Sequence, residues 1–123
     1  MAKHRSTIRR DERRRNRSKK TSRLNPNRPR LVVFRSLKHF EAQIVNDFDG
    51  HTLTAVSSRD KELQSALKKA ENKTDISRII GDALAKKAKS EKVGPVVLDR
   101  NGYPYHGRVK AFAEAARKGG LEF

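Results

Sequence analysis

The first thirty residues limit everything that follows. They carry thirteen of the chain's thirty Lys and Arg residues against two acidic ones, Asp11 and Glu12, so +11 of the net charge of +16 sits in a quarter of the 123 residues. Ile8 and Leu24 are almost the only large apolar side chains among them. Such a segment cannot bury enough surface to offset the entropy of ordering itself. A bare helix also resists the like charges of Arg13, Arg14, Arg15 and Arg17, followed by Lys19 and Lys20; with Arg9 and Arg10 these are the candidate RNA contacts of the segment. Residues 1–29 are therefore expected to form a flexible basic extension, disordered or loosely helical until a polyanion neutralises it. Asn25-Pro26-Asn27-Arg28-Pro29 reads as a rigid, non-helical hinge at its end. The apolar core must come from residues 30–123, enough for a single domain.

The charge balance names the partner class. A pI near 10.8 points first to nucleic acid and second to an anionic membrane surface. No apolar run approaches the roughly 20 residues of a spanning helix. The absence of cysteine excludes a disulfide framework and a thiolate zinc site. With no hydrophobic leader segment visible, the reading is cytoplasmic.

After the hinge the pattern changes. Leu31-Val-Val-Phe34 is β-branched and aromatic, which favours a strand. His39 to Asn46 alternates, with Phe40, Ala42 and Ile44 on one face and Glu41, Gln43 and Val45 on the other. Asp47-Phe48-Asp49-Gly50 is a tight-turn signal in which Gly50 can take positive φ. His51 to Ser58 alternates again, which sets Leu53 and Ala55 opposite Thr52, Thr54 and Val56. These are three strands of an antiparallel meander. Asp60 to Ala70 has short helical spacing. A helix then starts after Asn72-Lys73-Thr74, with Thr74 as its expected N-cap, and buries a stripe of Ile76, Ile79, Ile80, Ala83 and Leu84. Lys86, Lys87 and Lys89 suit the dipole at its end and need no ligand. Val93-Gly94-Pro95 is expected to stop it.

The stretch Val96 to Phe123 reads as a short strand buried on both faces, a Gly/Pro/aromatic loop and an amphipathic helix lined by Val109, Phe112, Ala113 and Ala116. Gly119 is the expected terminating glycine, with Leu121 folding back. The predicted class is α/β: a small mixed sheet, made of the three-stranded antiparallel meander plus a fourth strand reached by a helical crossover, packed with two main helices.

Chemistry is thin. His4, His39, His51 and His106 show no metal-ligand spacing. Asp47, Asp49 and Asp99 are conceivable carboxylates for a two-metal nuclease, yet the hairpin turn already accounts for two of them. No Gly-rich phosphate loop opens a helix, and neither a metal nor a cofactor is expected. Binding fits better. Arg35, Ser36, Lys38 and His39 after the first strand, and Tyr103, Tyr105, His106 and Arg108 after the fourth, are candidates for gripping phosphate and stacking on bases. The competing view of the second group is a plain strand-to-helix connection whose tyrosines prop against the core. A small nuclease and a DNA-compacting basic protein are the alternatives of other classes.

Two blocks go further. Asp99-Arg-Asn-Gly-Tyr-Pro-Tyr-His-Gly-Arg-Val-Lys-Ala111 with the ending Ala-Ala-Arg-Lys-Gly-Gly-Leu-Glu-Phe123, and Arg28-Pro-Arg-Leu-Val-Val-Phe-Arg-Ser36 followed by Lys38-His39 and Ala42-Gln43, closely resemble the bacterial-type large-subunit ribosomal protein family numbered eighteen. The resemblance covers essentially the whole chain. It implies a non-enzymatic constituent of the large subunit that binds 5S rRNA and helps attach it to 23S rRNA. The implied neighbours are ribosomal proteins five and twenty-five of the large subunit. It carries RNA-binding roles onto Arg28, Arg30, Arg35, Ser36, Lys38 and His39, and onto Arg100, Tyr105, His106, Gly107 and Arg108. The chain departs from the family at Asn101, where glycine is common, at Pro104, and at Leu37, where polar residues are frequent.

Overall fold

The computed structural model describes residues 9, 10, 12, 13, 28–47 and 49–123. Arg14, Arg15, Arg17, Lys19 and Lys20, most of the expected flexible extension, and Phe48 of the hairpin turn lie outside the described residues. Four strands form one mixed sheet: β1 (Arg30–Arg35), β2 (Phe40–Asn46), β3 (His51–Ser57) and β4 (Val97–Asp99), in the order β3-β2-β1-β4. β1, β2 and β3 are the antiparallel meander, and β4 runs parallel to β1. A parallel neighbour requires a crossover. It is made by a 3-10 turn (Lys61–Leu63), one helical turn α1 (Gln64–Leu67) and the long helix α2 (Lys73–Ser90). Helix α3 (Arg108–Lys118) follows β4. The architecture is the α/β mixed sheet that the pattern of apolar residues predicts.

Alternation decides what is buried. On β2, Phe40, Ala42 and Ile44 are fully buried while Glu41, Gln43 and Val45 are half-exposed. Cross-strand pairing sets Leu31 opposite Ile44 and Val33 opposite Ala42, so these residues share the face covered by α2 and α3. Ile80 and Leu84 of α2 and Val109, Phe112 and Ala116 of α3 complete the core. The Phe40 and Phe112 rings meet at 5.3 Å between centroids, tilted by 44°. Each of these rings contributes about 2–3 kcal/mol through burial alone. The two helices approach closely because Gly81 faces the Phe112 carbonyl: a Cβ placed there would stand 2.6 Å from that oxygen.

Five local expectations are corrected. Ile44 pairs with Thr54 but Val45 with Thr52, so Leu53 is an extra residue in a bulge. The bulge turns Leu53 into the core while Ala55 remains exposed on the opposite face. β4 is an edge strand, so Val97 and Leu98 are only half-buried rather than covered on both faces. The N-cap of α2 is Asn72 rather than Thr74, its side-chain oxygen accepting from the Asp75 amide at 2.9 Å. α2 stops at Ser90, before Val93-Gly94-Pro95: Lys92 takes φ +57° and the Val93 amide reaches back to the Ala88 carbonyl at 2.9 Å. At the end of α3, Gly119 keeps helical φ and Gly120 takes φ +107°. Leu121 does fold back, its amide 3.1 Å from the Ala116 carbonyl.

Candidate nucleic-acid interface

Because β1 and β4 are parallel, their carboxyl ends point the same way. The β1–β2 turn and the β4–α3 loop therefore leave the sheet side by side, which brings the two sequence-predicted groups together. In the turn, the Ser36 amide donates to the His39 carbonyl at 2.9 Å, and Ser36 Oγ accepts from the His39 amide at 3.1 Å. Leu37 at its tip is 83% exposed, and Arg35, Ser36 and Lys38 are exposed around it. In the loop, Asn101 (φ +54°) and Gly102 (φ +82°) form a tight turn closed by the Tyr103 amide on the Arg100 carbonyl at 3.0 Å. Positive φ at both central positions is what a type I′ turn demands, and Asn and Gly tolerate it best. Gly107 (φ +59°) then directs the chain into α3.

Side chains lock the two segments together. The Arg35 guanidinium lies over the Tyr103 ring, 4.7 Å from its centroid, and the Tyr103 hydroxyl lies 3.4 Å from both the amide and the carbonyl of Arg35. Arg108 donates to the Ser36 carbonyl at 2.6 Å and to the His39 carbonyl at 3.0 Å. His39 Nδ1 is 2.9 Å from the buried Ser58 Oγ, which also accepts from the Phe40 amide at 3.1 Å. Tyr105 and His106 are exposed, and the Tyr105 hydroxyl accepts from Arg117 at 3.4 Å. Arg100 and Gly107 are exposed in the same loop.

The electrostatics of this end are one-sided. Among the described residues no carboxylate lies within ion-pair distance of Arg35, Lys38, Arg100 or Arg108. Burial, and then repulsion from Arg35, push the pKa of Arg108 below its ordinary value, with Tyr103 acting against them. Arginine nonetheless stays charged. Arg30 is placed differently. It sits at the amino end of β1, where it grips Asp47 at 3.0 and 3.1 Å and Asp99 at 2.7 Å. Burial works against its charge, but the hydrogen bonds from Asp99 and Asp47 and their negative charges prevail, and its pKa is raised. Arg28, and Arg9, Arg10 and Arg13 further back, are exposed.

Sequence reasoning missed Ser58, which orients His39, and the burial of Asp99, which is 2% exposed and holds the Asn101 amide at 2.8 Å. Nothing in the Ser57-Ser58-Arg59 run distinguishes the buried serine. An Asp between an apolar strand and Asn-Gly was a usable signal for the other. Among the described residues no three His, Cys, Asp or Glu side chains come together as a metal site, and no helix is long and apolar enough to cross a membrane.

A mixed α/β sheet that gathers uncompensated cations and aromatic faces at one end defines a small basic protein suited to a polyanionic partner. The comparisons sharpen this. The sequence model described as ribosomal L18 of archaea, bacteria, mitochondria and chloroplast matches residues 3–123, and the chain belongs to that family. The large ribosomal subunit protein uL18 of Chloroherpeton thalassium is 58% identical over 96 residues, 78% of each chain. That of Bdellovibrio bacteriovorus is 50% identical over 107 residues, 87% of this chain and 83% of its own. That of Sorangium cellulosum is 46% identical over 112 residues, 91% and 93% of the two chains. Membership makes the chain a structural, non-enzymatic constituent of the large ribosomal subunit, a cytoplasmic particle in bacteria, with ribosomal RNA as its partner in translation.

Proposed function

We propose that the chain binds 5S rRNA and helps attach it to 23S rRNA in the central protuberance, beside ribosomal proteins five and twenty-five of the large subunit. The observation that carries this reading is the cationic end of the sheet, where Arg35, Lys38 and Arg100 stand exposed with no carboxylate partner among the described residues. Specific RNA recognition needs a shaped surface as well as charge. The cross-linked turn and loop meet that need, with Ser36, His39, Tyr103, Tyr105, His106, Gly107 and Arg108 forming or framing the surface. Residues 30–123 are then the reading domain. Residues 1–29, with Arg9, Arg10, Arg13, Arg14, Arg15, Arg17, Lys19, Lys20 and Arg28, add salt-dependent affinity through counterion release.

The test is binding to 5S rRNA, with a tRNA and a DNA duplex as competitors, across a salt series. The full chain and a version lacking residues 1–28 are compared. Selection of 5S rRNA by both, with the shorter version weaker and less salt-sensitive, is the expected result. Loss of selectivity in both would leave only a generic polyanion binder.

A further inference from the structure

We infer that Arg108 is a positioning residue, not a phosphate ligand: it holds the Ser36–His39 turn in the shape that displays Arg35, Lys38 and His39. The inference rests on the 5S-binding reading above and assigns one of its residues a different job. A guanidinium grips phosphate with two parallel N–H bonds along one edge of its fork. In Arg108 the outer edge is occupied, Nη1 donating to the Ser36 carbonyl at 2.6 Å and Nη2 to the His39 carbonyl at 3.0 Å. The other edge is closed as well, since Nε is shielded from solvent and meets no acceptor. The group also lies 5.6 Å from the centroid of the Phe40 ring, so one of its faces is covered.

The base of this side chain is fixed. Arg108 opens α3, directly before the fully buried Val109 and four residues before Phe112. A cation in the first turn of a helix has the wrong sign for the helix dipole. The two turn carbonyls supply the negative partial charge that the helix end lacks. The clamp thus ties the turn to the helix across 69 and 72 residues of sequence. Lys38, by contrast, is exposed in the same turn and makes no ion pair within the described residues.

The experiment compares Arg108→Lys, Arg108→Ala and Lys38→Ala in the full chain. Its readouts are 5S rRNA affinity over a salt series and amide exchange at Ser36, whose N–H donates to the His39 carbonyl. Lys38→Ala is expected to reduce the salt slope by about 0.7–0.9, one phosphate contact. Arg108→Lys is expected to weaken 5S binding about tenfold with the slope unchanged. Ser36 should exchange faster while Leu31 and Ile44 stay protected, because an ammonium cannot bridge both carbonyls. Arg108→Ala should match Arg108→Lys. Full affinity in Arg108→Lys, or a slope in Arg108→Ala that falls as in Lys38→Ala, would overturn the inference. If the unaltered chain fails to select 5S rRNA, the functional reading falls by itself. Ser36 exchange still decides the clamp: unchanged protection in Arg108→Lys refutes it.

Discussion

The two ends of strand β1 carry the same chemistry and put it to different uses. At the amino end, Arg30 meets Asp47 and Asp99, and three charges become one compact, partly buried network. At the carboxyl end, Arg35, Lys38, Arg100 and Arg108 have no carboxylate within ion-pair distance among the described residues; Arg35 meets a ring face, and Arg108 two carbonyls and a ring face. Whether an arginine holds the fold or faces a partner is decided by the acceptors the tertiary structure brings to it. Residue type and position in a basic block do not decide it.

Arg30→Ala strikes the first end and should have the largest effect. It leaves Asp99, 2% exposed, without its cation. A loss of about 2–3 kcal/mol is expected, below the range for fully buried pairs because Arg30 and Asp47 keep contact with solvent. Urea unfolding would show it as a lower midpoint at unchanged m-value. RNA affinity of the folded fraction should hold, and a fall in affinity with intact stability would break the contrast.

Gly81→Ala is remote from both ends and calibrates them. The added methyl meets the Phe112 carbonyl and Ala115 Cβ, so the helices must separate. Overpacking outweighs the gain in helix propensity by about 1–2 kcal/mol. Thermal unfolding should fall accordingly, with RNA binding below the transition unaffected. Lys92→Gly relieves a left-handed lysine after α2 and should raise stability by about 0.5–1 kcal/mol in the same assay. Lys38→Ala has the smallest effect on the fold, within about 0.5 kcal/mol. Its consequence belongs in the salt dependence of RNA binding, and a stability loss comparable to that of Arg30→Ala would erase the difference between the ends.

The element order, the β2 faces and the α3 stripe were legible because each rests on a period that one chain segment carries by itself. Asn72 and Thr74 were not separable as caps, since both side chains accept an amide hydrogen and lie two residues apart. Gly119 and Gly120 posed the same problem: Gly119 is small because Ala85 Cβ would stand 2.6 Å from an added methyl, and Gly120 supplies the positive φ. The Leu53 bulge depends on the register of β2, which local alternation does not encode. Of the candidate site, the two loops that the structure sets side by side were named from composition. The division of labour between the two ends of β1 was not, because Arg30 and Asp99 lie 69 residues apart, as do Arg108 and His39.

That separation also imposes a temporal order. β1 and its basic forerunner are made early, whereas β4, which aligns the second loop beside the first, comes 67 residues after Arg30 in register. Long-range pairing of this kind forms slowly and only once both partners exist. A nascent chain therefore carries its basic residues 1–29 well before the cationic end of the sheet is assembled. On the function proposed above, capture by charge would precede discrimination by shape, and an interrupted synthesis would yield a fragment that holds RNA without choosing it.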